Sequence, residues 1–136
     1  MASPRKFASL LLVILLLAAA SAGPVRAEND RRDPASIARE GRKPVIADFG
    51  LGLCRQCKMQ TATLKEIEAA YGNRVIVRWV HVNVEGALVD RYKVEMIPLL
   101  VFFDETGKET FRKVGPLPYG EIRDQLARMG IQEKRK

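Results

Sequence analysis

Pro44 introduces a five-residue run, Val45-Ile46-Ala47-Asp48-Phe49, in which only Asp48 is polar. A run this apolar and this short reads as a strand buried on both faces. Gly50-Leu51-Gly52-Leu53 follows, with two glycines that permit a tight loop. Helical spacing then extends from Cys54 to about Ala70, and a second long apolar stretch begins near Arg74. A crossover from one strand through a helix to a second strand of the same sheet demands parallel pairing and a right-handed connection. The chain's two cysteines, Cys54 and Cys57, fall at the head of that crossover helix.

The other elements are shorter. Asp33-Pro34 starts a helix, with Asp33 as its cap, that runs through Glu40 and ends at Gly41. On the cysteine helix, Met59, Ala62, Thr63, Ile67 and Ala70 form an inner stripe that Leu64 widens. Arg74–Val84 is apolar on both faces and reads as an inner strand. Ala87–Tyr92 is a short helix, and Leu99–Phe103 is a compact strand. The turn at Asp104-Glu105-Thr106-Gly107 sends Lys108–Val114 back as an edge strand. Tyr119–Met129 closes the chain as a helix with Ile122, Leu126 and Met129 inward. The expected fold class is α/β, a single domain with a mixed sheet of about four core strands flanked by helices.

The N-terminus reads as an export signal. Arg5 and Lys6 precede an unbroken apolar run, Leu10–Ala20, and Val25-Arg26-Ala27 fits a cleavage site before Glu28. The run is shorter than the roughly 20 apolar residues that a bilayer crossing needs. Residues 1–27 are therefore assigned to a cleaved signal peptide with no stable membrane insertion afterwards; an uncleaved anchor is the alternative. A flexible segment (28–32), a folded domain (33–130) and a basic C-terminal tail (131–136) follow. The expected location is exported: periplasmic in a Gram-negative source, otherwise secreted or membrane-anchored. The chain carries 23 Lys and Arg against 16 Asp and Glu, a net charge of +7, but the charges are scattered. No aromatic-and-basic surface of the kind that binds nucleic acid is evident.

Three readings of Cys54-Arg55-Gln56-Cys57 compete. An exported chain can hold a disulfide there, yet so small a loop constrains little of the unfolded chain. Two thiolates are half of a four-ligand zinc site, and His81 is the chain's single histidine. The third reading is a reactive dithiol. At a helix N-terminus, unpaired backbone N–H groups and the helix dipole favour the thiolate of Cys54, and Arg55 adds positive charge beside it. Cys54 would attack a disulfide, and Cys57, one turn inward, would resolve the mixed disulfide. Asp48, buried just before the loop, would have a raised pKa and could take the proton of Cys57. His81 reads as a packed structural histidine, Trp79 as core, and Tyr92 and Tyr119 as packing residues.

Asp48-Phe49, Cys54-Arg55-Gln56-Cys57-Lys58-Met59, Ile97-Pro98, Gly107 and Gly115 stand in an order and spacing that resemble the thioredoxin family, over about Asp33 to Met129. The resemblance implies a thiol:disulfide oxidoreductase with Cys54, Cys57 and Asp48 as its catalytic residues. It also implies a cis Ile97-Pro98 bond facing the dithiol, and substrate contacts from Leu53, Arg55, Gln56, Met96, Ile97 and Pro98. No cofactor is implied and no nucleotide fingerprint is present, so electrons must arrive from another protein or a small thiol. The expected protein is a monomer acting on protein disulfides or dithiols, with reduction as the favoured direction. Net oxidation and an exported binding or assembly module with little turnover are the alternatives.

The sequence also departs from the family. Leu53 stands where tryptophan is usual before the first cysteine, Arg-Gln replaces Gly-Pro between the cysteines, and Ala62 replaces a helix-kinking proline. Met96 and Leu99 flank Ile97-Pro98 in place of glycine and threonine. Leu53, Met96, Ile97 and Leu99 are thus expected to form an apolar rim around Cys54, with the leucines filling the core as the alternative.

Overall fold

The computed structural model describes residues 32–134. The signal peptide, all of the 28–32 segment except Arg32, and the last two residues of the tail lie outside that range. The elements are α1 (Pro34–Gly41), β1 (Val45–Gly50), α2 (Arg55–Tyr71), β2 (Ile76–His81), α3 (Gly86–Arg91), β3 (Leu99–Phe103), β4 (Glu109–Val114) and α4 (Tyr119–Arg128). The sheet order is β2-β1-β3-β4, with β1 parallel to β2 and antiparallel to β3, and β3 antiparallel to β4. This is the α/β mixed sheet expected from the run order. Among the described residues, no helix is long and apolar enough to cross a membrane.

Alternation along β1 divides the core in two. Ile46 faces Leu64, Ile67 and Tyr71 of α2 and Ile122 and Leu126 of α4. Val45, Ala47 and Phe49 face the other side, where Ala38 of α1 and Leu88 of α3 close a second cluster with Val101 and Phe103. Each large apolar side chain buried this way contributes about 1.5–3 kcal/mol. Tyr92 joins the second cluster through ring contacts with Phe49 and Phe103, at centroid distances of 5.4 and 5.5 Å.

β2 is an edge strand, not the inner strand expected from its two apolar faces. Both faces are covered by helices, but only one of its long sides is paired. The N–H groups of Ile76 and Val82 bond to Pro44 and Gly50, so the odd-numbered residues turn their backbone outward. There the guanidinium of Arg78 donates to the Trp79 carbonyl, and Glu85 accepts from the His81 N–H at 3.0 Å. Arg78 and Glu85 also form an ion pair with each other. Charged groups that satisfy outward backbone atoms blunt an edge against pairing with another chain.

The inner stripe of α2 is rotated from the expected one. Cys57, Gln60, Leu64, Ile67 and Tyr71 are buried. Met59 is 56% exposed and Ala62 also faces outward. Gln60 takes an inward place because its Oε1 accepts a 2.6 Å bond from the Leu117 N–H, where the chain enters α4. At α1, Asp33 makes no side-chain cap. Its buried carboxylate instead accepts from the Tyr92 hydroxyl and pairs with Arg91 at 3.2 Å, tying α1 to α3. That helix closes on Arg42, at φ 48°, rather than on Gly41. The expected tail is partly ordered: Ile131 packs on the first core cluster, and Lys134 N–H bonds to the Ala70 carbonyl at 3.0 Å. Arg74 holds the Gln132 and Glu133 carbonyls as well.

Gly107 turns the β3–β4 hairpin at φ 80°, and a Cβ there would stand 2.5 Å from the Ala35 carbonyl oxygen. Gly107→Ala is expected to destabilise the fold by about 2 kcal/mol or more, from backbone strain and the clash together. Chemical denaturation reads this as a lower midpoint with the same slope; an unchanged midpoint would show that α1 and the hairpin are not held this closely.

Candidate active site

β1 delivers the chain to one end of the sheet, and the loop after it turns directly into α2. Cys54 N–H bonds to the Leu51 carbonyl at 3.0 Å, which closes the loop. Cys54 is the N-cap of α2, and its sulfur accepts the Cys57 N–H at 3.3 Å. A sulfur thus takes the place that a serine or aspartate oxygen usually fills at a helix start. Hydrogen bonding from the Cys57 side chain, followed by that from its N–H, holds the Cys54 thiol below the ordinary thiol range. Cys57 is shifted the opposite way. Burial pushes its thiol up first, and the hydrogen bond to Cys54 adds to the shift. Cys54 is half-buried, whereas Cys57 is 3% exposed.

Asp48 lies below the pair, on the same face of β1 as Ile46. It is 4% exposed, and its Oδ1 has no hydrogen-bond partner. Burial pushes its carboxyl up to about 7. Gly50 leaves room above it: a Cβ on Gly50 would stand 3.6 Å from Cys57 Sγ and 3.9 Å from Asp48 Oδ1. A cavity of about 70 Å³ occupies this region, bounded in part by Asp48, Gly50, Cys57, Trp79 and His81. A wider groove of about 1010 Å³, with Arg42, Lys43 and Pro44 among its walls, lies toward the opposite end of β1 and includes neither cysteine.

The remaining expected site residues surround the sulfur atoms unevenly. Leu53 is 88% exposed and Met96 65% exposed, while Arg55 and Gln56 face outward on the first turn of α2. Ile97 is half-buried and Pro98 buried, and the peptide bond between them is cis. Phe49 pairs with Leu99, so Ile97-Pro98 falls one step beyond, at the end of the sheet where the cysteine loop departs. Leu99 belongs to the core and not to the rim, because as the first residue of β3 it faces Ala38 and Phe49.

His81 is exposed rather than packed, and Trp79 is only half-buried, with both at the small cavity. Their shared strand face was legible in the sequence; their place beside Asp48 was not, because it needs the register that pairs Asp48 with Trp79 and Gly50 with His81. In the sequence Gly50 reads only as a loop residue. Among the described residues, no group of three or more His, Cys, Asp or Glu side chains gathers as metal donors.

Asp48 makes stability depend on pH. Between the ordinary 3.8 and about 7 the folded chain retains a proton that the unfolded chain has released, so folding is disfavoured as pH rises through that window. Asp48→Asn should therefore gain stability over the wild type from about pH 4, reaching a plateau on the order of 2–4 kcal/mol above pH 7. Urea denaturation from pH 4 to 8 measures the difference; a pH-independent difference would contradict the buried, unpartnered carboxyl.

The thioredoxin family profile matches residues 31–128. Thioredoxin 1 of Chlorobaculum tepidum is 30% identical over 90 residues, which cover 66% of this chain and 88% of that protein. A "thiol:disulfide interchange protein TxlA homolog" of Synechocystis is 23% identical over 144 residues, covering 96% of this chain and 80% of that one. Among solved structures, chloroplastic thioredoxin z superposes with a TM-score of 0.63 at 23% identity, covering 69% of this chain and 85% of its own. That last likeness concerns the fold.

Proposed function

The chain belongs to the thioredoxin family, and from that premise we propose that it reduces disulfides of exported proteins through Cys54 and Cys57. Thiol:disulfide exchange at the pair follows from the family. The direction, the compartment and the roles of single residues are this reading's own. The observation that carries it is the difference between two thiols one turn apart: Cys54 caps α2 and is lowered, while Cys57 is buried and raised.

In the first step the Cys54 thiolate attacks a substrate sulfur, the substrate S–S bond breaks, and the departing sulfur leaves with the electron pair. In the second step Cys57 loses its proton and attacks Cys54 Sγ. The mixed disulfide breaks, Cys54 and Cys57 are joined, and the substrate leaves as a dithiol. Asp48 is the proton acceptor of that second step, since its carboxyl is poised near neutrality and it lines the same small cavity as Cys57. A protein or small-thiol donor then reduces the Cys54–Cys57 disulfide. Leu53 and Met96 offer exposed apolar contacts for an apolar segment of a substrate protein, Arg55 and Gln56 offer polar ones, and the Ile97-Pro98 backbone offers an extended edge.

The reducing direction rests on the likeness to small thioredoxins, because the electrostatics of the pair pull both ways. The Asp48 charge works against the thiolate of either cysteine, and burial works against that of Cys57. Both effects disfavour the charged reduced state, whereas the hydrogen bonds from Cys57 lower Cys54 and stabilise its thiolate. The exported setting rests on Leu10–Ala20 and Val25-Arg26-Ala27, with a periplasmic location in a Gram-negative source.

Cys57→Ser is expected to trap substrate proteins through Cys54 as disulfide-linked adducts on non-reducing gels, and Cys54→Ser to trap none and lose exchange. The reduction potential of the wild type should fall below about −230 mV, on the reducing side of glutaredoxins. A potential above about −180 mV would reverse the direction. The absence of both adducts and exchange would favour the binding-module alternative.

A further inference from the structure

Registered partners in parallel strands direct their side chains to the same face. Asp48 is paired with Trp79 and Gly50 with His81, so His81 stands on the Asp48 face, one pleat closer to the dithiol end. Gly50 contributes no side chain between them. The resulting cavity is bounded in part by Asp48, Gly50, Cys57, Lys58, Trp79 and His81. Its inner end holds the partnerless Oδ1 of Asp48, and His81 is exposed to solvent. At about 70 Å³ the cavity admits a short file of water, since one water needs roughly 10–15 Å³ of such space.

We propose that His81 is a proton-relay residue, with water in this cavity linking Asp48 to its imidazole, which hands to solvent the proton released by Cys57 in the resolving step. The relay rests on the thiol:disulfide reading above. The proton moves from Cys57 Sγ to Asp48, then through water to an imidazole nitrogen, while the other ring nitrogen releases a proton to solvent. The electron pair of the Cys57 thiolate forms the new bond to Cys54, and the substrate sulfur departs with the pair of the broken bond. Electrons and protons balance with no further reactant.

The charged and titratable groups around this path are few. Asp48 approaches from β1, Cys57 and Lys58 from α2, and Glu85 accepts from the His81 backbone N–H at 3.0 Å. Among the other polar side chains of the lining, the Lys58 ammonium has donors alone and the Thr61 hydroxyl donates to the Cys57 carbonyl at 3.0 Å, whereas an imidazole accepts on one nitrogen while donating from the other. Trp79 supplies an apolar wall, which limits the number of routes the proton can take.

The test separates the two chemical steps. A chromophoric aryl thiol is loaded onto Cys54 as a mixed disulfide, and its release reports attack by Cys57 without needing protonation of the leaving group. Attack by Cys54 is measured separately, from reaction of the reduced chain with the same aryl disulfide. His81→Asn, checked for an unchanged circular dichroism spectrum, should release the label about tenfold more slowly, less than the roughly 10²–10⁴ of a direct general base. Added imidazole should restore the rate, and attack by Cys54 should be unchanged. Release at the wild-type rate would overturn the relay. So would slow release that imidazole does not restore, or equal slowing of both steps. A wild-type chain unable to exchange at all would instead overturn the functional reading itself.

Discussion

β1 is hydrogen-bonded to a parallel strand on one side and to an antiparallel strand on the other, and helices cover both of its faces. Every side chain from Val45 to Phe49 is therefore withdrawn from bulk solvent, Asp48 included. Four of the five repay that burial by packing. Asp48 cannot, and its Oδ1 remains without a partner. An unpaired buried carboxylate is costly in its charged form, so the group holds its proton to about pH 7. A central strand that stabilises the fold thus also places a near-neutral acid directly under the dithiol.

The second cysteine gains its character from the first turn of α2. A helix start leaves N–H groups without partners. Here the sulfur of Cys54 accepts one of them, from Cys57. Hydrogen bonding from the Cys57 side chain, and then the same backbone bond that helps fix the helix start, lower one thiol, while burial one turn later raises the other. Two identical side chains three positions apart are made chemically unequal by geometry alone. Gly50 completes the arrangement by leaving Asp48 and Cys57 within van der Waals reach of the same point.

The sequence exposed the elements whose signal is local. Pro44 and the run to Phe49 marked β1, and the Asp104-Glu105-Thr106-Gly107 turn marked the hairpin, where Asp104 Oδ1 indeed accepts from the Thr106 and Lys108 N–H groups. Cys54 and Asp48 were legible because each stood out against its surroundings. What escaped depended on partners distant in the chain. Two apolar faces on β2 revealed cover above and below but not the missing neighbour at its side; Arg78, within an otherwise apolar strand, was the local hint. Met59 looked inward by spacing, yet Gln60 won the interior through its bond to the Leu117 N–H. Leu99 looked like rim from its place after Pro98, but strand alternation turns it into the core. His81 reached the site only through the register of β1 and β2.

The division of labour between the cysteines is the central claim, and differential alkylation tests it most directly. The reduced chain is pulsed with iodoacetamide across pH 5–10, and the modification of each cysteine is quantified by peptide mass spectrometry. Cys54 should be modified first, along a titration centred below the ordinary thiol value, with Cys57 protected until much higher pH. Equal modification of both, or faster modification of Cys57, would contradict the account.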